Sequence, residues 1–294
     1  MQLTQSITPE QEALLPTETD IAFYEEHGWY ISPKIIPDEI IDRAIAGAER
    51  FYRGERDGTL PVATGYTNWT PEDGDIVRNN EFVSLQNQEL RELALLPVIG
   101  AIAARLARTH EIRLLDDQLV YKPPFSSKRK IKTTVGWHSD RAYWGTCTSD
   151  KMLTAWIPFH DCDESRGPLV VLDKSHRWSG LEDMRHFNDS GMENWENQFR
   201  SEGKEVVKVP MNLKKGQLSF HHCWTIHGSY PNTSQLHRQA LAVHLQDGDN
   251  RYRPYYSKQG KEVHIFDEQL CRTLANGDPD FSDPYPFPVL WSRQ

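Results

Sequence analysis

From Ile112 onward the chain is written in short apolar segments cut by Gly, Pro and Asp, and this limits the fold more than any other feature. The segments are Ile112 to Tyr121, Gly136 to Ala142, Met152 to Phe159, Leu169 to Leu172, Glu205 to Val209, Gln217 to Phe220 and Gln239 to Gln246. Each has strand length, and short strands separated by turn residues predict a β-sandwich or barrel.

The first third has a different texture. Thr19 or Asp20 could cap a helix over Ile21 to Glu26, stopped at Gly28, with a short strand at Trp29-Tyr30-Ile31. Pro37-Asp38 starts a longer helix whose Ile40, Ile41, Ala44, Ile45 and Ala48 recur at helical spacing. A third helical stretch covers Gln88 to Arg108, with Pro97 as a break or a new start. The stretch 53–75 reads as irregular loop, where Tyr66 and Trp69 either overhang a pocket or anchor the surface. Residues 178–204 are polar, with scattered aromatics, and read as a lid or insertion. No linker divides the chain. The expectation is a flexible lead-in over 1–18 and one domain over 19–294. Helical support lies at about 20–110, a core at about 112–250 and a wrapping tail at 251–294. This is a mainly β fold with flanking helices, for which a cupin-like jelly roll is the fitting form. Its wide mouth can hold a metal and two small molecules.

Composition narrows the partners. A net charge of −9 argues against a nucleic-acid surface, which needs clustered Lys and Arg. The short Lys128-Arg129-Lys130 run is read as a solvated loop. No apolar run of about 18 residues is present, so no membrane span is expected. Met1 to Glu18 is acidic and lacks a basic start followed by an apolar stretch, so no secretory signal is expected. The four cysteines are scattered and form no C-x-x-C pair, the pattern of reduced thiols in a cytoplasmic protein.

The chemistry concentrates in Gly136-Trp137-His138-Ser139-Asp140. In a strand, positions two apart share a face, so His138 and Asp140 would reach one point. A metal ion is the simplest object needing both, and His227 is the best candidate for a distant third ligand. Two imidazoles and one carboxylate on one side of an ion leave other positions open, as in non-haem Fe(II) oxygenases. Taken alone, each histidine reads more readily as a hydrogen-bonded core residue. His221 and His222 flank the third ligand's strand, but no carboxylate or Cys at ligand spacing makes them a second metal site.

Together with Met152-Leu153-Thr154-Ala155-Trp156-Ile157, Gly167-Pro168-Leu169, Ser175-His176-Arg177 and His227-Gly228-Ser229-x-Pro231-Asn232-x-Ser234, followed by Arg238, this block resembles the phytanoyl-CoA dioxygenase family. The resemblance covers about residues 20–250. It implies a double-stranded β-helix with Fe(II), 2-oxoglutarate and O2 as cofactor and cosubstrates. Oxidative decarboxylation of 2-oxoglutarate to succinate and CO2 would be coupled to hydroxylation of a small molecule. Demethylation, desaturation and ring formation remain open. The metal ligands would be His138, Asp140 and His227. Arg238, eleven residues after His227, would bind the distal carboxylate of 2-oxoglutarate through a planar fork, with Ser229, Trp156, Gln118 and Thr154 beside it. Lys122 is read as structural. Trp137, Arg141, Tyr143, Trp144, His221, His222 and Trp224 are candidates for substrate contact. The family's usual Pro-Gly before Ser-His is Asp173-Lys174 here, and nothing marks a coenzyme-A pocket. The Asp140 carboxylate argues against halogenation. A metal enzyme that does not use 2-oxoglutarate, or an inactive binding protein on the same fold, are the rival readings.

Overall fold

The computed structural model describes residues 6–62, 69, 73–127 and 133–293. Tyr66 and the Lys128-Arg129-Lys130 run lie outside the described residues. Thr8 caps a one-turn helix α1 (Pro9–Glu12), and Leu15 is buried in the main core. The stretch expected to be a loose lead-in thus carries one capped, exposed turn and is anchored to the core by Leu15 and, in part, by Ile7. Thr17, not Thr19 or Asp20, caps α2 (Glu18–His27), and Asp20 returns the hydrogen bond as the third residue of the capping box. Gly28 ends α2 with φ +78°, which only glycine adopts without cost.

The strand β1 (Trp29–Ile31) leads to α3 (Asp38–Tyr52). After β2 (Arg78–Glu81), the helical stretch splits at Pro97 into α4 (Gln88–Ala94) and α5 (Pro97–Leu106). Pro97 has no amide hydrogen to donate, so it sits at the start of α5 where none is needed. The β region then runs through β3 (Glu111–Lys122), β4 (Val135–His138), a short α6 (Asp140–Tyr143), β5 (Leu153–Pro158) and β6 (Val170–Leu172). It continues as α7 (Met192–Ser201), β7 (Lys208–Pro210), β8 (Ser219–His222), β9 (His227–Ser229) and β10 (Arg238–Asp247). Two minor strands, β11 (Tyr255–Tyr256) and β12 (Glu262–Val263), precede the closing β13 (Val289–Ser292).

All pairings are antiparallel. The larger sheet runs β1-β8-β5-β10-β3-β13, with β2 also on β3, and the smaller runs β4-β9-β6-β7. The double sheet, with α2 to α5 packed on the larger sheet, matches the mainly β jelly roll expected from the sequence.

Strand alternation divides the larger sheet into two faces. Leu241, Val243 and Leu245 of β10, Ala155 and Ile157 of β5, and Phe220 of β8 pack with Ile41, Leu90, Ile99 and Ile102 of the helices. The intervening residues, Thr154, Trp156, His221, Ala242 and His244, line the space between the sheets. The helices thus hold one face of the sheet dry and leave the other for polar side chains. The segment 178–204 lies on the outside of the smaller sheet through Leu181, Met184, Met192 and Phe199. Within the described residues, no helix is long and apolar enough to cross a membrane.

Candidate active site

The strand expected over Gly136 to Ala142 stops at His138. Ser139 stays extended (φ −119°, ψ 141°), and Asp140 is the first residue of α6. The side chains of 138 and 140 still converge, because one extended residue separates them. His227 opens β9 directly opposite His138. The two imidazole rings lie 4.1 Å apart between centroids. Oδ1 of Asp140 is 3.3 Å from Nε2 of His227 and 4.0 Å from Nε2 of His138. All three side chains are buried, and their donor atoms lie within 4.8 Å of one another.

The tautomers follow from the backbone. Nδ1 of His138 donates to the Gly136 carbonyl at 2.8 Å, and Nδ1 of His227 donates to the Thr225 carbonyl at 3.0 Å. A carbonyl can only accept, so each Nδ1 carries the proton and each Nε2 turns its lone pair inward. Metal-binding histidines are oriented in this way. Burial lowers the His138 pKa to about 3, keeping that imidazole neutral. At His227 burial works the same way, but the neighbouring Asp140 carboxylate outweighs it and raises the pKa. Burial opposes the Asp140 charge, but the surrounding imidazoles, His227 first, hold its pKa well below the usual carboxylate range.

The other oxygen of Asp140 is fixed from behind. Thr154 Oγ1 donates to Oδ2 at 2.5 Å, and His221 Nε2 lies 3.1 Å from it. With its one proton given to Asp140, Thr154 Oγ1 accepts from Nδ1 of His244 at 2.8 Å. His221 and His244 therefore belong to the site, although sequence reasoning singled out neither as a support for Asp140. The signal was present: Leu218 and Phe220, like Val243 and Leu245, face the helices, so the histidines one position away face inward.

A slot of about 50 Å3 extends from the triad to Arg238, between Trp156, Ser229 and Gln118. Arg238 is 2% exposed. Its Nη2 lies 3.4 Å from Ser229 Oγ, and its Nε makes no hydrogen bond. Among the described residues no carboxylate lies within 4.0 Å of its guanidinium. Burial lowers its pKa only to about 10, so it remains a cation at neutral pH. Lys122, fully buried, donates to Ser229 Oγ at 2.6 Å and to the Tyr230 carbonyl at 2.8 Å. That matches the structural role expected of it.

These distances define a buried group of two imidazoles and a carboxylate that could hold a metal ion, beside a buried, unmatched guanidinium. The family model for phytanoyl-CoA dioxygenase (PhyH) matches residues 24–240.

The chain belongs to the phytanoyl-CoA dioxygenase family.

The peroxisomal phytanoyl-CoA dioxygenase of Rattus norvegicus is 26% identical over 272 residues, which is 90% of this chain and 79% of that one. The crystal structure of the non-haem α-ketoglutarate-dependent carbocyclase SnoK from nogalamycin biosynthesis superposes with a TM-score of 0.68 at 25% identity, covering 93% of this chain and 96% of that one. The epimerase SnoN, solved with Fe3+, α-ketoglutarate and nogalamycin RO, shares the fold at 22% identity and a TM-score of 0.66, covering 95% of this chain and 99% of that one. This phytanoyl-CoA dioxygenase family member is a non-haem iron- and 2-oxoglutarate-dependent dioxygenase that uses O2.

The larger cavity of the dioxygenase, about 420 Å3, opens on the other side of His138 and Asp140. Tyr143 and Trp144 reach it, as expected of substrate candidates. Five other candidates do not, His221 because it lies in the slot against Asp140. Trp137 points away from His138 and is fully buried among Leu181, Met184 and Met192. Arg141 is buried as a loop clamp, donating to Asp150 and to the carbonyls of Trp144 and Cys147. Trp224 closes the same loop through Asp150 Oδ1 at 3.0 Å. His222 lies on the helix-facing side of β8 with Tyr24 and His176. Nearness in sequence to a ligand had stood in for nearness in space. Thr154 lines the slot, and its hydroxyl is donated to Oδ2 of Asp140. Trp69 lies under the Arg78 guanidinium, 3.6 Å from ring centroid to Cζ, and lines neither cavity. From 178–204 come Arg185 and Phe187, and from the tail Val263 to Asp267, all lining the larger cavity. No sequence pattern in the tail had marked that last group.

Proposed function

We propose that His138, Asp140 and His227 hold the iron, and that Arg238 receives the distal carboxylate of 2-oxoglutarate in the slot. The buried guanidinium without a carboxylate partner carries this reading, since such a charge is costly unless a ligand completes it. Ser229 shares a hydroxyl between Arg238 and Lys122 and so fixes the guanidinium plane. Trp156 lies under the same group, 5.7 Å from its ring centroid to Cζ, and closes the slot against water. Gln118 lies where the slot and the larger cavity meet.

The bound iron, with 2-oxoglutarate and O2, supplies the oxidising power for cleaving a substrate C–H bond. The chain contributes placement. Thr154 and His221 hold Oδ2 of Asp140 so that Oδ1 faces the two imidazoles. Gly136 and Thr225 carbonyls fix those imidazoles. Phe187, Tyr143 and Trp144 wall the cavity where a substrate would lie. We read the reaction as hydroxylation of a small molecule of natural-product size, with demethylation, desaturation or ring closure as variants of the same C–H cleavage. The natural-product context of SnoK and SnoN supports that choice of substrate class. Release of succinate from 2-oxoglutarate, dependent on Fe(II) and lost in Arg238→Ala, tests the reading. Unchanged turnover in that variant would favour a metal enzyme with another cosubstrate.

A further inference from the structure

Across the larger cavity from the smaller sheet stands an acidic wall. Asp116 of β3 faces inward opposite His244, and Glu81 of β2 faces inward opposite Gln118. Asp267 comes from the tail. All three line the cavity that reaches His138 and Asp140. Among the described residues Arg185 is the only Arg or Lys that lines the cavity, and it rises beside His138 on the smaller sheet, with Nε on the Ala142 carbonyl at 2.6 Å.

Two of these carboxylates are incomplete. Asp116 is 7% exposed and Asp267 4% exposed, and Oδ1 of each is buried without a hydrogen bond. His244 Nε2 lies 3.5 Å from Asp116 Oδ1, outside hydrogen-bonding geometry. Glu81 is met only on one oxygen by the Gln118 amide, at 3.1 Å. Buried carboxylates are normally paired with cations or fully hydrogen-bonded. Here two incompletely hydrogen-bonded, buried carboxylates line a cavity flanked by the Phe82 and Phe266 rings, 5.3 Å apart. Carboxylates and aromatic faces together are the chemistry that recognises an organic cation.

We propose that the substrate carries a cationic amine, held by Asp116, Asp267 and Glu81 against Phe82 and Phe266 while its reacting carbon faces the metal triad. The proposal takes the oxygenase reading for granted only in calling the ligand a substrate, since the wall exists whether or not that reading holds. Without a ligand, burial and the nearby Asp267 charge push the Asp116 pKa well up, and burial pushes Asp267 up to about 7. A bound ammonium would remove the cost of charging them. Among the described residues no lining Lys does so in its place.

The test uses the full-length protein and calorimetric titration with phenethylamine, cyclohexylmethylamine and lysine methyl ester, each beside its N-acetyl derivative. The expected result is tighter binding of the amine than of the neutral partner by roughly tenfold or more. Asp116→Asn and Asp267→Asn should each shrink that ratio while the circular dichroism spectrum stays unchanged. Equal binding of amines and N-acetyl derivatives overturns the proposal, as does a ratio the two variants leave untouched. Two Mn2+ ions bound per chain, falling to one in Asp267→Asn, would also overturn it by assigning the wall to a second metal. The oxygenase reading is checked separately, by the visible absorption band that Fe(II) and 2-oxoglutarate form together under anaerobic conditions. An amine preference without that band sinks the oxygenase reading alone, and the band without an amine preference sinks this proposal alone.

Discussion

Thr154 Oγ1 donates to Asp140 Oδ2 at 2.5 Å, and through it a residue in the middle of the larger sheet sets the orientation of a carboxylate on a helical turn beside the smaller one. The hydrogen bond leaves Oδ1 turned toward the two imidazoles. Removing it should free the carboxylate to rotate. Thr154→Val is expected to lower Fe(II) or Mn(II) affinity by about 10- to 100-fold, the range seen when a group orienting a metal ligand is lost. Thr154→Ser keeps the hydroxyl and should keep most of the affinity. Metal titration of the two variants under anaerobic conditions is the measurement, and equal losses in both would remove the hydrogen bond from the account.

Much of this site was legible in the sequence, and the reasons are physical. The alternation of apolar residues in β5, β8 and β10 fixes which side chains face inward, so Thr154, Trp156 and Arg238 could be placed before the fold was seen. The same alternation would have named His221 and His244, had each been read against its apolar neighbours. What was not legible depends on chain reversal. Whether the residues after Asp140 continue a strand or start a helix decides where Arg141 points, and it points into a loop clamp. His222 and Trp224 were linked to His227 by closeness along the chain, yet one lies across the sheet and the other beyond a turn. The acidic wall joins β2, β3 and the tail, three segments whose meeting no local pattern predicts.

Arg238 should be irreplaceable by another cation. Its guanidinium is buried, with Nη2 on Ser229 and no carboxylate within reach among the described residues. Lysine supplies a charge but not a planar pair of donors. Arg238→Lys is therefore expected to raise the KM for 2-oxoglutarate at least about tenfold, and Arg238→Ala to abolish saturable turnover, since charged hydrogen bonds contribute about 1.5–3 kcal/mol each. Succinate release measured against 2-oxoglutarate concentration distinguishes these outcomes from a general loss of folding, which would lower kcat with KM unchanged.

Gly136 marks a close approach that tolerates no side chain. A Cβ there would lie 2.1 Å from the carbonyl oxygens of both His186 and Asp189, and neither is a flexible side-chain end. Gly136 also offers the carbonyl that fixes the His138 tautomer. Gly136→Ala should thus cost about 1–3 kcal/mol or more of stability through overpacking. It should also weaken metal binding by displacing β4 and its ligand. Thermal unfolding and metal titration of the variant are the checks. A stable Gly136→Ala protein with full metal affinity would mean that the segment at 186–189 yields readily.

Asp117 gives the pH prediction. It lies on the helix-facing side of β3, fully buried, with Oδ1 accepting from the Ser84 amide at 3.0 Å and Oδ2 unpaired. Burial raises its pKa from 3.8 to about 6. The folded chain therefore binds this proton more tightly than the unfolded chain does. The charge costs nothing below about pH 4, where both states are protonated. The cost grows as pH rises from about 4 to 6 and is fully present above that, reaching about 3 kcal/mol from a shift of roughly two units at about 1.4 kcal/mol each. Asp117→Asn removes the titration while keeping an acceptor for Ser84. Whatever its stability relative to the natural chain at pH 4, the variant should gain on it steadily up to about pH 6 and hold that gain to pH 8. Urea unfolding at a series of pH values reads the difference directly. A difference that stays flat across this range would show that Asp117 is charged without penalty, and that Arg91, the cation acting on it electrostatically, compensates it fully.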